Sequence, residues 1–453
     1  MSTGSSRSFL FLKGLKSLSM LPLVAALAVS SGCSEPETEE QAAPAPAPEV
    51  DCSTPAKNKR LFDLMKDAYL WYEKVPDVDP AAYESPQALL EDLVFADIDR
   101  WSSIAPREVS TAYYGEGRRV GLGIRTRYDL DDTLRFSLIY AGSPADDAKL
   151  KRGDRILAIN GKTIAEIEAE ELWGTILGPE EEGIQVSMQV ERLGGAVEDI
   201  AMTKRSFKFE TTHTHRVFSH AGKTVGYLLF DRFLSTSDAE LEAVFASFKQ
   251  AGVNELVLDL RYNGGGLVDV ALHLASLIAG NAAEGELFTS ILHNDKHANW
   301  NKDQIFAASD NALDLTRIFI IATGLTASSS ELLINGLFPH IDVTLIGEAT
   351  YGKPVGSGAW NDCDNVLRPI SFRMANAEGR ADYFNGLSAD CFAEDDLDLQ
   401  LGDETEASVA EALHFMSYGS CSLHAAPFDR SAASKRARRT IPRRGLDAEI
   451  DSF

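Results

Sequence analysis

Apolar and polar positions alternate along this chain in three distinct rhythms. Over 56–73 the apolar residues Leu61, Leu64, Met65, Ala68, Tyr69 and Tyr72 recur at helical spacing. That pattern predicts a helix with one buried face, closed by Pro76 and Pro80. A second helix is expected over 86–96, and Trp71 and Trp101 read as core anchors. From 118 to 206 the rhythm shortens to runs such as LRFSLIY, RILAING and IQVSMQV, separated by Gly and Asp turns. This predicts a small, mostly β unit. After it, apolar runs at 223–230, 255–260, 318–323 and 343–348 alternate with helical patterns at 237–251, 267–280 and 328–338. Strand and helix in alternation predict an α/β core.

The two ends break these rhythms. Residues 1–17 are polar and basic, 20–29 are continuously apolar, and small residues lead to Cys33. That order is the pattern of a signal peptide, and the apolar run is too short to span a bilayer. Its end resembles the lipobox of bacterial lipoproteins, which would make Cys33 the lipid-bearing residue. The expectation is an exported protein of the cell envelope (periplasm), held to a membrane through Cys33. Residues 34–50 are acidic and rich in Pro and Ala, a tether rather than a core. The tail 422–453 is basic without apolar periodicity and is expected to be a disordered extension.

Composition sharpens this only in places. With 453 residues and 44% hydrophobic content, the chain is long enough for several domains. A net charge of −25 argues against a nucleic-acid partner, which needs a basic face. Leaving Cys33 to lipid, four cysteines remain: Cys52, Cys363, Cys391 and Cys421. In an exported protein they imply two disulfides. Three pairings are open; the favoured one is Cys363–Cys391 with Cys52–Cys421, tying the start of the fold to its end.

Four segments carry chemistry. In 141–162, Gly153-Asp154 and Asn160-Gly161 are turns flanking a strand, and the segment resembles a PDZ domain. Gly121, Leu122, Gly123 and Ile124 then look like its peptide carboxylate-binding loop. In 256–278, a buried strand ends at Asp259-Leu260-Arg261 and three glycines, Gly264 to Gly266, open a helix. Such a turn offers backbone N–H groups to an anion, yet it lacks the lysine of a nucleotide-binding loop. Ser328-Ser329-Ser330-Glu331 lies at a strand-to-helix corner. Ser and Glu three apart form a capping box, which accounts for one serine of the three. Lys353 stands between Gly352 and Pro354. An amine walled in by apolar groups deprotonates more easily and can then take a proton from a serine.

In this order the segments resemble the carboxyl-terminal processing peptidases, also called tail-specific proteases. That family's pattern is a PDZ domain, then D-L-R-x-N-x-G-G, then S-x-S-E, then G-K. The resemblance covers about 52–418. It implies a crotonase-like α/β protease core with an inserted PDZ domain and a small helical N-terminal domain. The implied domains are 1–32 signal peptide, 33–51 anchor and linker, 52–117 helical, 118–206 PDZ, 207–421 protease and 422–453 tail. It also implies a Ser328–Lys353 dyad, the lysine 25 residues after the serine, and an oxyanion hole from Ser329 with Gly264 or Gly265. Glu331 is a candidate orienting residue. Many relatives carry Gln four residues after the lysine, where this chain has Ser357, a second orienting candidate.

The implied activity is serine endopeptidase cleavage, without cofactor or metal, of proteins with accessible C-termini. The alternative is a silent PDZ peptide-binding module on a pseudo-protease core. A trypsin-like PDZ protease would need G-x-S-G-G, and a zinc protease H-E-x-x-H; neither occurs. His213 and His215 share a face of an expected strand but lack a third ligand. The acidic run 394–398 lacks EF-hand spacing and reads as a solvated loop. Oligomeric state is not encoded in these patterns.

Overall fold

The structure, a computed structural model, describes residues 50–129 and 131–423. The expected signal peptide, Cys33, nearly all of the linker, and the tail from 424 lie outside them. Among the described residues no helix is long and apolar enough to cross a membrane.

The centre is a five-stranded sheet in the order Thr214–His220, Lys223–Leu229, Glu255–Asp259, Arg317–Ala322 and Asp342–Gly347. The first pair is antiparallel and the other three pairings are parallel. Parallel neighbours need crossovers, supplied by the helices Ser237–Ala251, Val268–Ala279 and Ser329–Leu337. The strand Glu255–Asp259 is buried along its whole length, as its unbroken apolar run requires. One face of the sheet packs on helices through Phe245, Phe248, Leu274 and Leu333. The other face is covered by the helix Ala407–Tyr418 and by Phe207 and Phe209.

A second, antiparallel sheet runs Lys302–Ile305, Leu287–His293, Ile370–Ala375, Val355–Ser357. It carries the chain just after Lys353.

The β unit has its own core around Phe136, Ile156, Met188 and Val190. Its entry strand Arg118–Gly121 pairs antiparallel with its exit strand Arg205–Lys208, so both connections leave through one ribbon.

The N-terminal helices Thr54–Asp67 and Pro86–Leu93 are present. The first stops six residues short of the expected end. Beyond it, the Leu70 N–H donates to Ile370 O instead of continuing the helix. Leu61, Tyr69, Leu89 and Trp101 share one cluster with Val355, Leu367 and Ile370 of the core strands.

The disulfide expectation is corrected. Cys52 pairs with Cys363, and Cys391 with Cys421, with Cα–Cα distances of 5.9 and 5.4 Å. The start of the described chain is tied to the hairpin of strands Trp360–Asp362 and Asn365–Arg368, not to Cys421. Cys391 instead runs beside Ile346 at the sheet edge, within reach of the chain following the last helix.

Candidate active site

Strands Glu255–Asp259 and Arg317–Ala322 are parallel neighbours, so the turns at their C-terminal ends meet. Side chains lace the two turns together. The Thr326 hydroxyl donates to Leu260 O at 2.8 Å, and Thr323 Oγ1 donates to Arg261 O. The Ala327 N–H donates to Asn263 O at 3.1 Å. The run of three serines now has a physical account. Ser329 Oγ donates to Gly266 O at 2.7 Å and Ser330 Oγ to Asn263 O at 2.9 Å. Both hydroxyls bind the helix start to the glycine turn.

Ser328 is the residue at the corner. Its backbone sits at φ 56°, ψ −117°, a conformation an L-residue adopts only at a cost of roughly 1–3 kcal/mol. Gly265 is at φ +105°, and a Cβ there would lie 2.7 Å from Ser328 Cβ and 2.8 Å from Ala327 O. Only glycine lets the turn approach the serine this closely. Of the expected anion donors, Gly265 already gives its N–H to Asn263 Oδ1 at 2.9 Å. This bond engages the Gly265 N–H and so favours Gly264 of the two.

Glu331 joins the serine to the lysine. Its Oε2 accepts the Ser328 N–H at 3.0 Å and the Lys353 N–H at 2.8 Å. Its Oε1 accepts the Gly352 N–H at 2.7 Å and the Thr350 hydroxyl at 2.5 Å. The carboxylate is fully buried. Burial pushes its proton affinity above the ordinary carboxylate range, and the four donors oppose that shift. The capping bond is thus half of its role; the other half is to seat the Lys353 segment against the Ser328 corner. Lys353 itself is 4% exposed. Ser357 lies on the strand Val355–Ser357, paired with Ile370 and half-buried.

The acidic run 394–398 is not simply a solvated loop. The Asp395 side chain is buried and meets Arg152 Nη2 at 2.6 Å, Arg261 Nη1 at 2.8 Å and the Tyr262 hydroxyl at 2.5 Å. Burial alone would raise its pKa, yet Arg152 and Arg261 hold it far below the usual carboxylate range. Arg261 also binds Asp259 and Glu406, all three fully buried. The buried arginine of the D-L-R run was the available signal, since such a cation demands acidic partners from elsewhere in the chain.

In the β unit, Gly121 pairs with Arg205 in the ribbon and Ile124 with Ile139 in the sheet. Leu122 and Gly123 form the corner between them, their carbonyls accepting from the N–H groups of Ala145 and Tyr140. The Tyr140 hydroxyl reaches Asp231 at 3.0 Å, and Arg125 pairs with Asp231 at 3.0 Å. His213 packs its ring on Tyr140, with centroids 4.9 Å apart, and lies just before the strand that carries His215. Cys391, Glu411 and Cys421 converge, but the disulfide consumes both sulfurs.

Three family models match in order along the chain. The peptidase S41 N-terminal domain matches residues 56–103, a PDZ domain 135–182, and peptidase family S41 224–367. The chain is similar to the carboxyl-terminal-processing protease of Synechocystis sp., 28% identical over 240 residues, covering 53% of each chain. It is also similar to the carboxy-terminal processing protease CtpA of Bacillus subtilis, 26% identical over 301 residues, covering 66% of this chain and 59% of that one. These matches thus span between half and two thirds of the curated relatives' length. Among solved structures, a putative S41 protease from Bacteroides fragilis superposes with TM-score 0.64 at 27% identity, covering 79% of this chain and 97% of that one. The photosystem II D1 C-terminal processing protease shares the fold, with TM-score 0.51 at 20% identity over 81% of this chain and 98% of that one. With the three models in sequence order and relatives of the same kind, residues 224–367 match peptidase family S41 and the chain is similar to carboxyl-terminal processing proteases.

Proposed function

We propose that this protein is a serine endopeptidase in which Ser328 attacks the scissile carbonyl and Lys353 moves the proton. Lys353 takes the Ser328 hydroxyl proton and returns it to the leaving amine. The N–H groups of Gly264 and Ser329 hold the oxyanion, aided by the positive end of the helix Ser329–Leu337. The observation that carries this reading is the single Glu331 oxygen that accepts the N–H groups of both Ser328 and Lys353. Glu331 acts as a positioning residue through these bonds.

The reading extends to the rest of the chain. The core is crotonase-like, the segment 118–206 is a PDZ domain that takes substrate C-termini at the Leu122–Gly123 corner, and 52–117 is a helical N-terminal domain. The protein is exported and lipid-anchored through Cys33. Two disulfides support an oxidising compartment.

The test is cleavage of an unfolded protein and of a tail-tagged protein, read by mass spectrometry. Ser328→Ala and Lys353→Ala are each expected to lower the rate by roughly a thousandfold or more, with circular dichroism unchanged. Full activity in folded Lys353→Ala overturns the dyad. Cuts that ignore blocking of the substrate C-terminus overturn the PDZ assignment and leave the dyad standing.

A further inference from the structure

A cavity of about 350 Å³ opens beside the glycine turn. One wall is Leu267 and Val268, the residues that directly follow Gly264–Gly266. The facing wall is Ile291 and Phe372, from two paired strands of the antiparallel sheet. The Phe372 ring is seated against Gly356, where an added Cβ would lie 2.2 Å from Cε2. Gly356 is three residues past Lys353. The cavity therefore lies between the chain leaving the glycine turn and the sheet that carries the chain leaving Lys353. Leu267 follows directly on the glycine turn that packs against Ser328, so the cavity is within a few residues of the corner along the chain.

The charged part of the lining is acidic, and Ser235 and Gln304 are its neutral polar members. Asp238 and Asp269 both contribute, and none of the nine lining residues is cationic. Asp269 Oδ1 accepts from Gln304 Nε2 at 3.1 Å, and Asp238 Oδ1 meets His273 Nδ1 at 2.8 Å. Each carboxylate keeps its second oxygen for another donor. A lining that combines apolar side chains with two exposed carboxylates complements a side chain with a methylene shaft and a cationic head. A purely apolar side chain would match the walls but bring the carboxylates into partial desolvation without a partner.

We infer that this cavity is a specificity pocket for the lysine or arginine side chain of a substrate residue flanking the scissile bond, with Asp238 and Asp269 binding its head group. The inference rests on the protease reading above. The test is a peptide series in which one residue, stepped across the three positions on either side of the cut, is lysine, arginine, norleucine or glutamate. At one position lysine or arginine is expected to exceed norleucine in kcat/KM by about fivefold, the scale of a partly exposed charge pair. That ratio falls toward one in Asp238→Asn/Asp269→Asn, and Asp269→Lys shifts preference toward glutamate. Norleucine equal to or better than lysine at every position, or a basic preference that survives both substitutions, overturns the pocket. Absence of all cleavage by the unaltered chain overturns the protease reading instead. The pocket is then decided by binding of the same peptides to Ser328→Ala. A lysine-over-norleucine affinity that disappears in Asp238→Asn/Asp269→Asn sustains it, and equal affinities overturn it.

Discussion

At the scale of single residues, the site is held by strain and close approach. Ser328 is kept in a sparsely populated conformation because the helix that follows it, Glu331 and the glycine turn all fix it there. Gly265→Ala probes this directly. At φ +105° a side chain is strained, and its Cβ would meet backbone of Ala327 and Ser329, which cannot swing aside. The expected result is a loss of about a hundredfold or more in kcat, the cost of misplacing reacting groups by about 1 Å. Full activity on the unfolded-protein substrate would show that the turn does not set the Ser328 geometry. The residue types were legible because serine, lysine and a glycine run mark themselves by chemistry. Asp395 was not. Whether an acid is solvated or buried depends on partners such as Arg152 and Arg261, which lie far away in the chain.

At the scale of elements, periodicity foretold what local pattern controls. The helix Ser237–Ala251 and the strand Glu255–Asp259 stand where the apolar spacing put them. The antiparallel sheet did not announce itself. Leu287–His293 is half-buried along most of its length, and its burial lacks strict alternation. The helix Ala407–Tyr418 was also missed. The two bridges were expected, but their partners were not, because pairing follows the meeting of strands rather than spacing. The disulfide Cys391–Cys421 closes a separation of 30 residues. Chain-entropy arguments give it about 3.6 kcal/mol. The double variant Cys391→Ser/Cys421→Ser is therefore expected to melt several degrees lower under non-reducing conditions. An unchanged melting temperature in calorimetry would remove that contribution.

At the scale of the whole molecule, the PDZ unit meets the core through buried charge. Burial alone would raise the pKa of Asp231, but Arg125 and Arg232 bring it to about 2. Burial lowers His213, beside it, to about 4. An unfolded chain returns that histidine to its ordinary value near 6.5, so the unfolded state binds the proton first on acidification. The stability contribution is thus complete above about pH 6.5 and is lost as pH falls toward 4, by at most about 3 kcal/mol. Melting curves from pH 7.5 to 4.5 are expected to fall less steeply for His213→Gln than for the unaltered chain. Parallel curves would assign the acid sensitivity elsewhere. The order of the β unit, glycine turn, serine corner and lysine was readable from the residues alone, because each is a local pattern with its own chemistry. Folding alone settled which cysteines meet, that the Asp395 side chain is a buried hub, that Gly265 spends its N–H on Asn263, and that one Glu331 oxygen joins the Ser328 and Lys353 segments. Those outcomes depend on contacts between residues far apart in the chain, and no local pattern encodes which distant groups will share a burial site.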